Sequence, residues 1–151
     1  MQITARSDYA IRAAVELAID PDRARSGNDL ARAQELPGKF LEAILRDLTR
    51  AGLVTSQRGS AGGYRLARPA ADINLAEIMR AVDGPLAAVR GVPPETVSYA
   101  GPAEALTQVW VAVRAAVRTV LEDTTLADLA AGDLPAQVRS LIADDEAWRR
   151  R

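Results

Sequence analysis

Residues 52–69 form the stretch that most narrowly limits what this chain can fold into. Two short runs of β-forming residues, 53–55 and 64–66, flank a turn segment. That segment contains the small residues Gly59, Ser60, Gly62 and Gly63. Since glycine readily adopts the positive φ angles of tight turns, the stretch predicts a β-hairpin. Arg58 stands at the base of the turn, where small neighbours would let its guanidinium approach an anionic backbone or enter a narrow groove. Taken alone, the pattern fits an ordinary surface hairpin equally well.

Two helices are predicted immediately before the hairpin. Ser26 followed by Asp29 indicates a capped start for a short helix that continues toward Leu36, and Pro37-Gly38 then predicts a tight turn. The second helix has one apolar face, made of Phe40, Leu41, Ile44, Leu45 and Leu48. Its opposite face carries Lys39, Glu42, Ala43, Arg46, Asp47 and Arg50. Gly52 follows as the residue just past the helix end.

Two helices joined by a tight turn and followed by a hairpin are typical of a winged helix-turn-helix domain, with the hairpin as the wing. In that fold the outer face of the second helix enters the major groove of double-stranded DNA. Lys39 or Arg46 would then donate to guanine, and Glu42 would accept from cytosine. The alternative is that these charges simply form a solvated helix face.

Cysteine and histidine are both absent from the chain. Their absence excludes disulfides, thiolate metal sites and cysteine nucleophiles, and removes the commonest general base and metal ligand. We therefore predict no catalytic residue, no metal site and no cofactor, and hence a protein that is not an enzyme. Alanine, leucine, valine and arginine prevail while aromatic residues make up only 4% of the chain, which favours a mainly α fold.

The net charge of −1 conceals an uneven distribution. Residues 1–68 carry 11 Lys+Arg against 8 Asp+Glu, whereas residues 69–151 carry 8 against 12. A basic first half that includes the hairpin suits a polyanionic partner. The N-terminus lacks the apolar core of a signal peptide, and no apolar run is long enough to cross a membrane. We expect a cytoplasmic protein with no membrane partner.

Helical patterns dominate outside the helix-turn-helix. Thr4 is predicted to cap a first helix that runs to about Ile19, and Asn74 with Glu77 forms a capping box before another. Residues 84–102, rich in proline and glycine, are predicted to be a long loop. Thr125 with Asp128 caps a further helix, and Pro135 opens a last one that continues to Trp148. Residues 149–151 are predicted to be a mobile tail.

A long helix after the loop has the clearest apolar stripe in the chain: Leu106, Val109, Trp110, Val113, Val117, Val120 and Leu121. A stripe of that length exceeds what the N-terminal unit could cover, so we predict that it pairs with the same helix of a second subunit. Packing by the later helices of the same chain is the alternative. The predicted organisation is a DNA-binding domain over 1–83, a loop over 84–102, and a helical dimerisation region with a C-terminal helix over 103–151.

Several segments together resemble the Rrf2 family of bacterial winged helix-turn-helix transcription regulators, over roughly residues 1–130. The matching stretches are Asp8-Tyr9-Ala10, residues 36–42, Ala51-Gly52-Leu53-Val54, residues 56–64, Ile73-Asn74-Leu75, Ala81-Val82-Asp83-Gly84 and residues 125–129. The wing stretch, residues 56–64, is the most specific of them. The resemblance implies a homodimer on a pseudo-palindromic operator, with Arg58 in the minor groove. The predicted DNA-binding residues are Lys39, Phe40, Glu42, Arg46, Gln57, Arg58, Gly59, Gly62, Gly63 and Tyr64.

One departure from the family concerns its iron–sulfur cluster. Many members carry three cysteines in the loop before the long helix, where this chain has Gly91, Val97 and Glu104. Asp8 matches a position at which some members offer a carboxylate to the cluster. Because the chain has no thiolate, we predict that it holds no cluster.

The sequence thus predicts a transcription regulator that acts as a repressor by occupying its operator, free of control by an iron–sulfur cluster. Two alternatives stay open. The chain could be a winged-helix module that binds a protein, or a regulator that responds to a small molecule in a pocket near the long helix, with Tyr99 and Trp110 as aromatic walls. The effector, a small molecule or a protein, is not specified by the sequence.

Overall fold

The structure, a computed structural model, describes residues 2–149. Over that range the chain forms seven α-helices and one two-stranded antiparallel sheet. The elements are α1 (Ala5–Ile19), α2 (Gly27–Ala33), α3 (Gly38–Arg50), β1 (Val54–Gln57), β2 (Gly63–Leu66), α4 (Leu75–Asp83), α5 (Leu106–Asp123), α6 (Leu126–Ala131) and α7 (Ala136–Ile142). The predicted mainly α winged helix-turn-helix fold with a two-stranded wing is confirmed.

Helix α1 lies at the centre of the domain. Its buried residues include Ala10, Ala13 and Ala14, whose small side chains let α3, α4 and α6 approach closely. Leu17, at the end of the same face, is also buried. The predicted caps are present: Thr4 accepts from the Ser7 N–H, and complete capping boxes form at Asn74 and Thr125. Among residues 2–149, no helix combines the length and the apolar character needed to span a membrane.

The N-terminus of α1 is tied to the C-terminus of α4 by hydrogen bonds. The hydroxyls of Thr4 and Ser7 both donate to the carboxylate of Asp83, and Arg6 Nε donates to the carbonyl of Val82 at 2.8 Å. Ser7 is fully buried. Replacement of Asp83 would therefore leave a buried hydroxyl without its acceptor.

We expect Asp83→Ala to lower the free energy of unfolding by about 1–3 kcal/mol, the usual cost of an unsatisfied buried polar group. Urea denaturation followed by circular dichroism measures the change. Asp133→Ala, which removes a carboxylate that is 83% exposed, is the matched control and should have little effect. Equal stability of the Asp83→Ala variant and the parent would contradict this account of the α1–α4 junction.

The first strand begins one residue later than its sequence pattern indicates. The N–H of Leu53 bonds to the carbonyl of Leu48 at 3.0 Å, and Gly52 has a φ of 72°. This is a Schellman motif, in which Leu53 completes the end of α3 and is buried. The strand therefore starts at Val54, and it continues to Gln57 opposite Gly63.

A further backbone pairing, not predicted from the sequence, joins the hairpin to the segment before α2. Arg25 and Tyr64 exchange both backbone hydrogen bonds, at 3.0 and 2.8 Å. The side chain of Arg25 also forms an ion pair with Glu16 of α1 at 2.9 Å. The hairpin is thus held against the domain rather than projecting freely from it.

Gly63 makes this pairing sterically feasible. A Cβ atom added at Gly63 would lie 2.6 Å from the carbonyl oxygen of Arg25, and the φ of Gly63 is 139°. We expect Gly63→Ala to destabilise the hairpin by about 1–3 kcal/mol and to weaken DNA binding, because backbone strain and the clash both displace β2. Urea denaturation and DNA titration measure the two effects.

Gly38→Ala is the matched control for this substitution. Gly38 is the first residue of α3, and an added Cβ there would meet no atom within 4 Å. Alanine favours helix, so this variant should be as stable as the parent or slightly more stable. Similar losses in both variants would show that glycine content, and not the Arg25–Tyr64 pairing, explains the Gly63→Ala result.

Two predicted helix ends are wrong. Helix α2 stops at Ala33 rather than near Leu36, because Glu35 adopts a left-handed φ of 53° and the Leu36 N–H turns back to the carbonyl of Ala31. Helix α7 stops at Ile142 rather than reaching Trp148. There the Asp144 side chain accepts from the Glu146 N–H and starts a separate 3-10 turn, Asp145–Trp148.

The C-terminal tail is only partly within the described residues. Arg149 forms an ion pair with Glu146 at 2.9 Å. The rest of the tail, residues 150 and 151, lies outside the range that the structure describes.

Candidate DNA-binding surface

Helix α3 separates its apolar and polar residues cleanly between two faces. Leu41, Ile44, Leu45 and Leu48 are fully buried against the core. Lys39, Glu42, Arg46 and Arg50 are exposed on the opposite side. Of the polar residues assigned to that outer face, Asp47 is the exception. Its carboxylate is mostly buried and binds Arg6 of α1 as well as Arg50, so Asp47 anchors α3 to the domain.

Phe40 lies at the start of α3 and points partly toward α1. Its ring packs edge-on against Tyr9 with centroids 5.7 Å apart, and 41% of the residue stays exposed. Arg12 in turn lies over the ring of Tyr9, 5.7 Å from its centroid. Phe40 therefore joins α3, the second helix of the helix-turn-helix, to α1 while it presents one edge to solvent.

Most arginines of the described residues are neutralised by a carboxylate within 4 Å. Between residues 2 and 149, the Lys and Arg side chains that make no such ion pair are Arg23, Lys39, Arg46, Arg58, Arg65 and Arg90. Lys39 and Arg46 are on α3, while Arg58 and Arg65 are in the hairpin. Positive charge without an internal partner is thus concentrated on these two elements, as phosphate contact requires.

Helix α3, the start of α2 and the hairpin border a shallow groove of about 600 Å³. Its lining is Ser26, Gly27, Asn28, Glu42, Arg46, Thr49, Arg50, Ser56 and Tyr64. The groove brings three predicted residues, Glu42, Arg46 and Tyr64, onto one continuous surface. The sequence analysis missed Asn28, Thr49 and Ser56. In the sequence, all three are polar residues outside the apolar face of their helix or strand. That position is the signal that could have identified them.

Asp29 borders this surface in the first turn of α2. A hydrogen bond from the Ser26 hydroxyl, together with the nearby Arg32 guanidinium, lowers the pKa of Asp29 below its ordinary value. Asp29 therefore carries a full negative charge at neutral pH. Since such a charge repels phosphate, we expect the DNA backbone to pass over α3 and the wing rather than over Asp29.

The predicted wing residues divide into two groups. Gln57, Arg58 and Gly59 are exposed at the hairpin tip, where they are free to reach a DNA groove. Gly62, Gly63 and Tyr64 are half-buried against the domain. A Cβ on Gly62 would lie 2.2 Å from the carbonyl oxygen of Gln57, and the Tyr64 ring lies near Gly27. These three residues shape the wing and hold it in place.

The long helix α5 leaves much of its apolar stripe uncovered. No residue of α5 is fully buried; Val109 is 50% exposed and Val113 is 36% exposed. The other stripe residues, Leu106, Trp110, Val117, Val120 and Leu121, are half-buried. Helix α6 packs against α1 and α7 packs against the terminal 3-10 turn, so the later helices do not cover the stripe.

Residues 84–102 are more ordered than the predicted loop. They contain the 3-10 turn Pro94–Thr96 and a bridge between Val89 and Val92. Pro94 and Val97 are buried, and the Thr107 hydroxyl donates to the Val97 carbonyl at 2.7 Å. The segment is therefore packed onto the start of α5.

Tyr99 and Trp110 contact each other. Trp110 Nε1 donates to the Tyr99 hydroxyl at 3.1 Å, and Arg90 lies 5.9 Å from the centroid of the Tyr99 ring. Trp110 lines a small cavity of about 270 Å³ with Val89 and Val113, but Tyr99 does not. A pocket with Tyr99 and Trp110 as its two aromatic walls stays a prediction.

The residues of this region do not fit an iron–sulfur cluster. The chain has no cysteine and no histidine. Of the three positions considered, Gly91 offers no side chain, Val97 is buried with its carbonyl already bonded to Thr107, and Glu104 supplies a carboxylate instead of a thiolate. Asp8 is 54% exposed and pairs with Arg12 at 3.4 Å. Within residues 2–149, no group of three or more metal-binding side chains comes together.

Comparison with known proteins agrees with this architecture. The family model Rrf2, described as an iron-dependent transcriptional regulator, matches residues 3–132. The chain is 49% identical over 152 residues to the putative HTH-type transcriptional regulator Rv1287 of Mycobacterium tuberculosis (strain H37Rv), covering 97% of this chain and 92% of that protein. It is 33% identical to the HTH-type regulator CymR of Bacillus subtilis over 86% of this chain and 90% of CymR.

Solved structures give the same result. The structure of CymR, the global cysteine regulator of B. subtilis, matches with a TM-score of 0.74 at 32% identity, over 87% of this chain and 98% of that one. IscR of T. potens matches with a TM-score of 0.72 at 26% identity, over 99% and 97% of the two chains. The chain described here therefore belongs to the Rrf2 family of DNA-binding winged helix-turn-helix transcription regulators.

Proposed function

We propose that this protein is a homodimeric repressor that occupies a pseudo-palindromic operator, with α3 of each subunit in a major groove and each wing in a minor groove. The observation that carries the proposal is the placement of Lys39, Arg46, Arg58 and Arg65. Within residues 2–149 these four cations of α3 and the hairpin have no carboxylate partner, whereas most other arginines are paired. Phosphate contacts from them supply affinity, and base contacts supply selectivity.

Dimerisation through α5 is the second part of the proposal. The exposed face of α5 combines Val109 and Val113 with the small residues Ala112 and Ala116, which would let the backbones of two such helices approach closely. The stripe also continues into an apolar cavity of about 440 Å³ that includes Val117, Val120 and Leu121. A second copy of the chain would cover this apolar surface and place two α3 helices on one side of the dimer.

Repression in this proposal needs no iron–sulfur cluster, because the loop lacks the ligands for one. The protein would act in the cytoplasm, where bacterial chromosomal DNA lies. Occupation of an operator blocks transcription simply by excluding other proteins from that DNA, so an effector need only change the spacing of the two wings to release it.

The test is selection of bound fragments from the source genome with the full-length protein. We expect enrichment of a few sequences, each with two inverted half-sites about one helical turn apart. Enrichment that shows no symmetry would contradict the dimeric geometry. Failure to enrich any DNA would instead favour the alternative of a winged-helix module that binds a protein.

A further inference from the structure

Another cavity, of about 470 Å³, lies between α4, α5 and residues 84–102, away from the DNA-binding surface. Arg80 of α4 lines it together with Arg114 and Arg118, which are one turn apart on α5. Its apolar walls include Pro85, Leu86, Pro93 and Pro94. We call this the arginine cavity. Its volume falls within the range typical of sites for small ligands.

The arginine cavity has more positive than negative groups. Arg80 and Arg118 share one carboxylate, that of Glu122, at 2.5 and 3.0 Å. Arg114 pairs with Glu95 at 2.5 Å. Three guanidinium groups are therefore balanced by two carboxylates. The cavity keeps an excess of one positive charge next to apolar walls that exclude part of the solvent.

Both carboxylates stay ionised at neutral pH. Hydrogen bonds from Arg80 and Arg118 lower the pKa of Glu122 below its ordinary value. The pKa of Glu95 is also lowered, mainly by a hydrogen bond to its own backbone and to a lesser extent by the hydrogen bond from Arg114. The arginines therefore already bind carboxylate groups in this geometry, and the protein itself supplies those groups.

Of the two carboxylates that pair with these arginines, that of Glu95 is the one that a ligand could displace. Its side chain is 53% exposed, whereas that of Arg114 is only 22% exposed. It extends from the 3-10 turn Pro94–Thr96, whose first residue, Pro94, is buried. An exposed ion pair contributes little net stability, so a ligand with several carboxylates could displace Glu95 at small cost. The planar guanidinium of Arg114 could donate two parallel hydrogen bonds to a carboxylate of the ligand.

We propose that the arginine cavity binds a small organic anion with two or three carboxylates, which takes the place of Glu95 on Arg114. The prolines and Leu86 contact the carbon skeleton of the ligand, while Arg80, Arg114 and Arg118 bind its acidic groups. The binding itself does not depend on the proposed repressor function.

The regulatory consequence does rest on that proposed function. Arg80 is in α4, whose last residue, Asp83, holds Thr4 and Ser7 of α1. Arg6 in the same segment binds Asp47 of α3. A ligand that competes with Glu122 of α5 for Arg80 and frees Glu95 therefore changes the contact between the long helix and the DNA-binding unit. The spacing of the two recognition helices changes with it.

Isothermal titration calorimetry on the full-length protein tests the proposal, with citrate and succinate as probes at constant ionic strength. We expect saturable binding that Arg114→Gln weakens at least about tenfold, the loss of a charge-assisted hydrogen bond. Glu95→Gln removes the internal competitor and should strengthen binding severalfold. Arg139→Gln, an exposed and paired arginine of α7, should leave binding unchanged.

A second readout follows the displacement of Glu95. Trp110 lies one turn before Arg114 on α5. It donates a hydrogen bond to Tyr99, which belongs to the same segment, residues 84–102, as Glu95. In a Trp148→Phe background, which removes the exposed tryptophan, citrate should change the Trp110 fluorescence with the affinity that calorimetry gives. The gain expected for Glu95→Gln cannot come from misfolding, and circular dichroism checks that Arg114→Gln is folded.

Several results would overturn the proposal. They are the absence of saturable binding of either probe, weaker or unchanged binding by Glu95→Gln, and equal losses in Arg114→Gln and Arg139→Gln. Inorganic phosphate binding more tightly than citrate and succinate would overturn the ligand class. The proposed function is judged separately, since the parent protein without added anion should bind selected DNA whether or not either probe binds.

Discussion

If the protein forms the proposed homodimer, Val113→Glu should leave a monomer and lower operator affinity on the order of 100-fold or more, because each subunit alone contacts one half-site. Val113 lies in the middle of the exposed stripe of α5. Two-fold symmetry would bury two such glutamates in an apolar interface, where a charge without a partner costs several kcal/mol. Sedimentation velocity at micromolar concentration measures the association, and fluorescence anisotropy with a selected fragment measures the affinity.

Ala115→Glu is the matched control. Ala115 is exposed and follows Val113 by two positions, which places it on the opposite side of α5. The same charge there should leave the dimer intact. A Val113→Glu variant that still sediments as a dimer would contradict the assignment of the stripe. So would a monomer produced equally by both substitutions.

Arg58→Ala should weaken binding to the selected operator by at least about 30-fold, since each of the two wings in the proposed dimer loses a contact of roughly 1–3 kcal/mol. Arg58 is exposed and makes no ion pair with any residue in the range 2–149, so its removal breaks no internal contact. The variant should therefore unfold at the same urea concentration as the parent and remain dimeric. Anisotropy titrations against the operator and a scrambled fragment separate specific from non-specific binding.

Arg139→Ala removes the same charge from α7, outside the DNA-binding surface. Comparison of the two variants separates a wing contact from a change in net charge. If Arg58→Ala binds the operator as the parent does, or if both variants lose affinity equally, the wing arginine does not enter a groove.

The helices and the wing were predictable because local residue patterns determine them. The spacing of Leu41, Ile44, Leu45 and Leu48 predicts the buried face of α3, and all four are fully buried. The capping boxes at Asn74 and Thr125 combine two residues three positions apart, so they are visible in the sequence. The family resemblance is shown by the match over residues 3–132.

The features that the sequence did not predict depend on residues far apart in the chain. The Arg25–Tyr64 bridge uses backbone atoms, which any residue type supplies. Asp47 has the sequence spacing of an outer-face residue, and only the position of Arg6 on α1 makes it structural. The arginine cavity joins α4 and α5 across the loop, and no local pattern marks such a cluster.

Within the candidate DNA-binding surface, some residue positions could likewise be predicted from local patterns and others could not. Exposure of Lys39, Glu42 and Arg46 follows from helix periodicity alone. The inward placement of Gly62, Gly63 and Tyr64 follows from contacts with Gln57, Arg25 and Gly27, which are tertiary. The same wing motif therefore contains residues that position the hairpin as well as residues that are free to contact DNA.

The salt dependence of binding to a selected fragment tests the central claim most directly. Four cations of α3 and the wing make no ion pair within the described range 2–149, and a dimer doubles them. They predict that the logarithm of the association constant falls with the logarithm of salt concentration at a slope of roughly −4 to −7. Anisotropy titrations between low and physiological salt give that slope. Binding that does not change with salt, or no binding to DNA at any salt concentration, would contradict the account of this surface as a DNA interface.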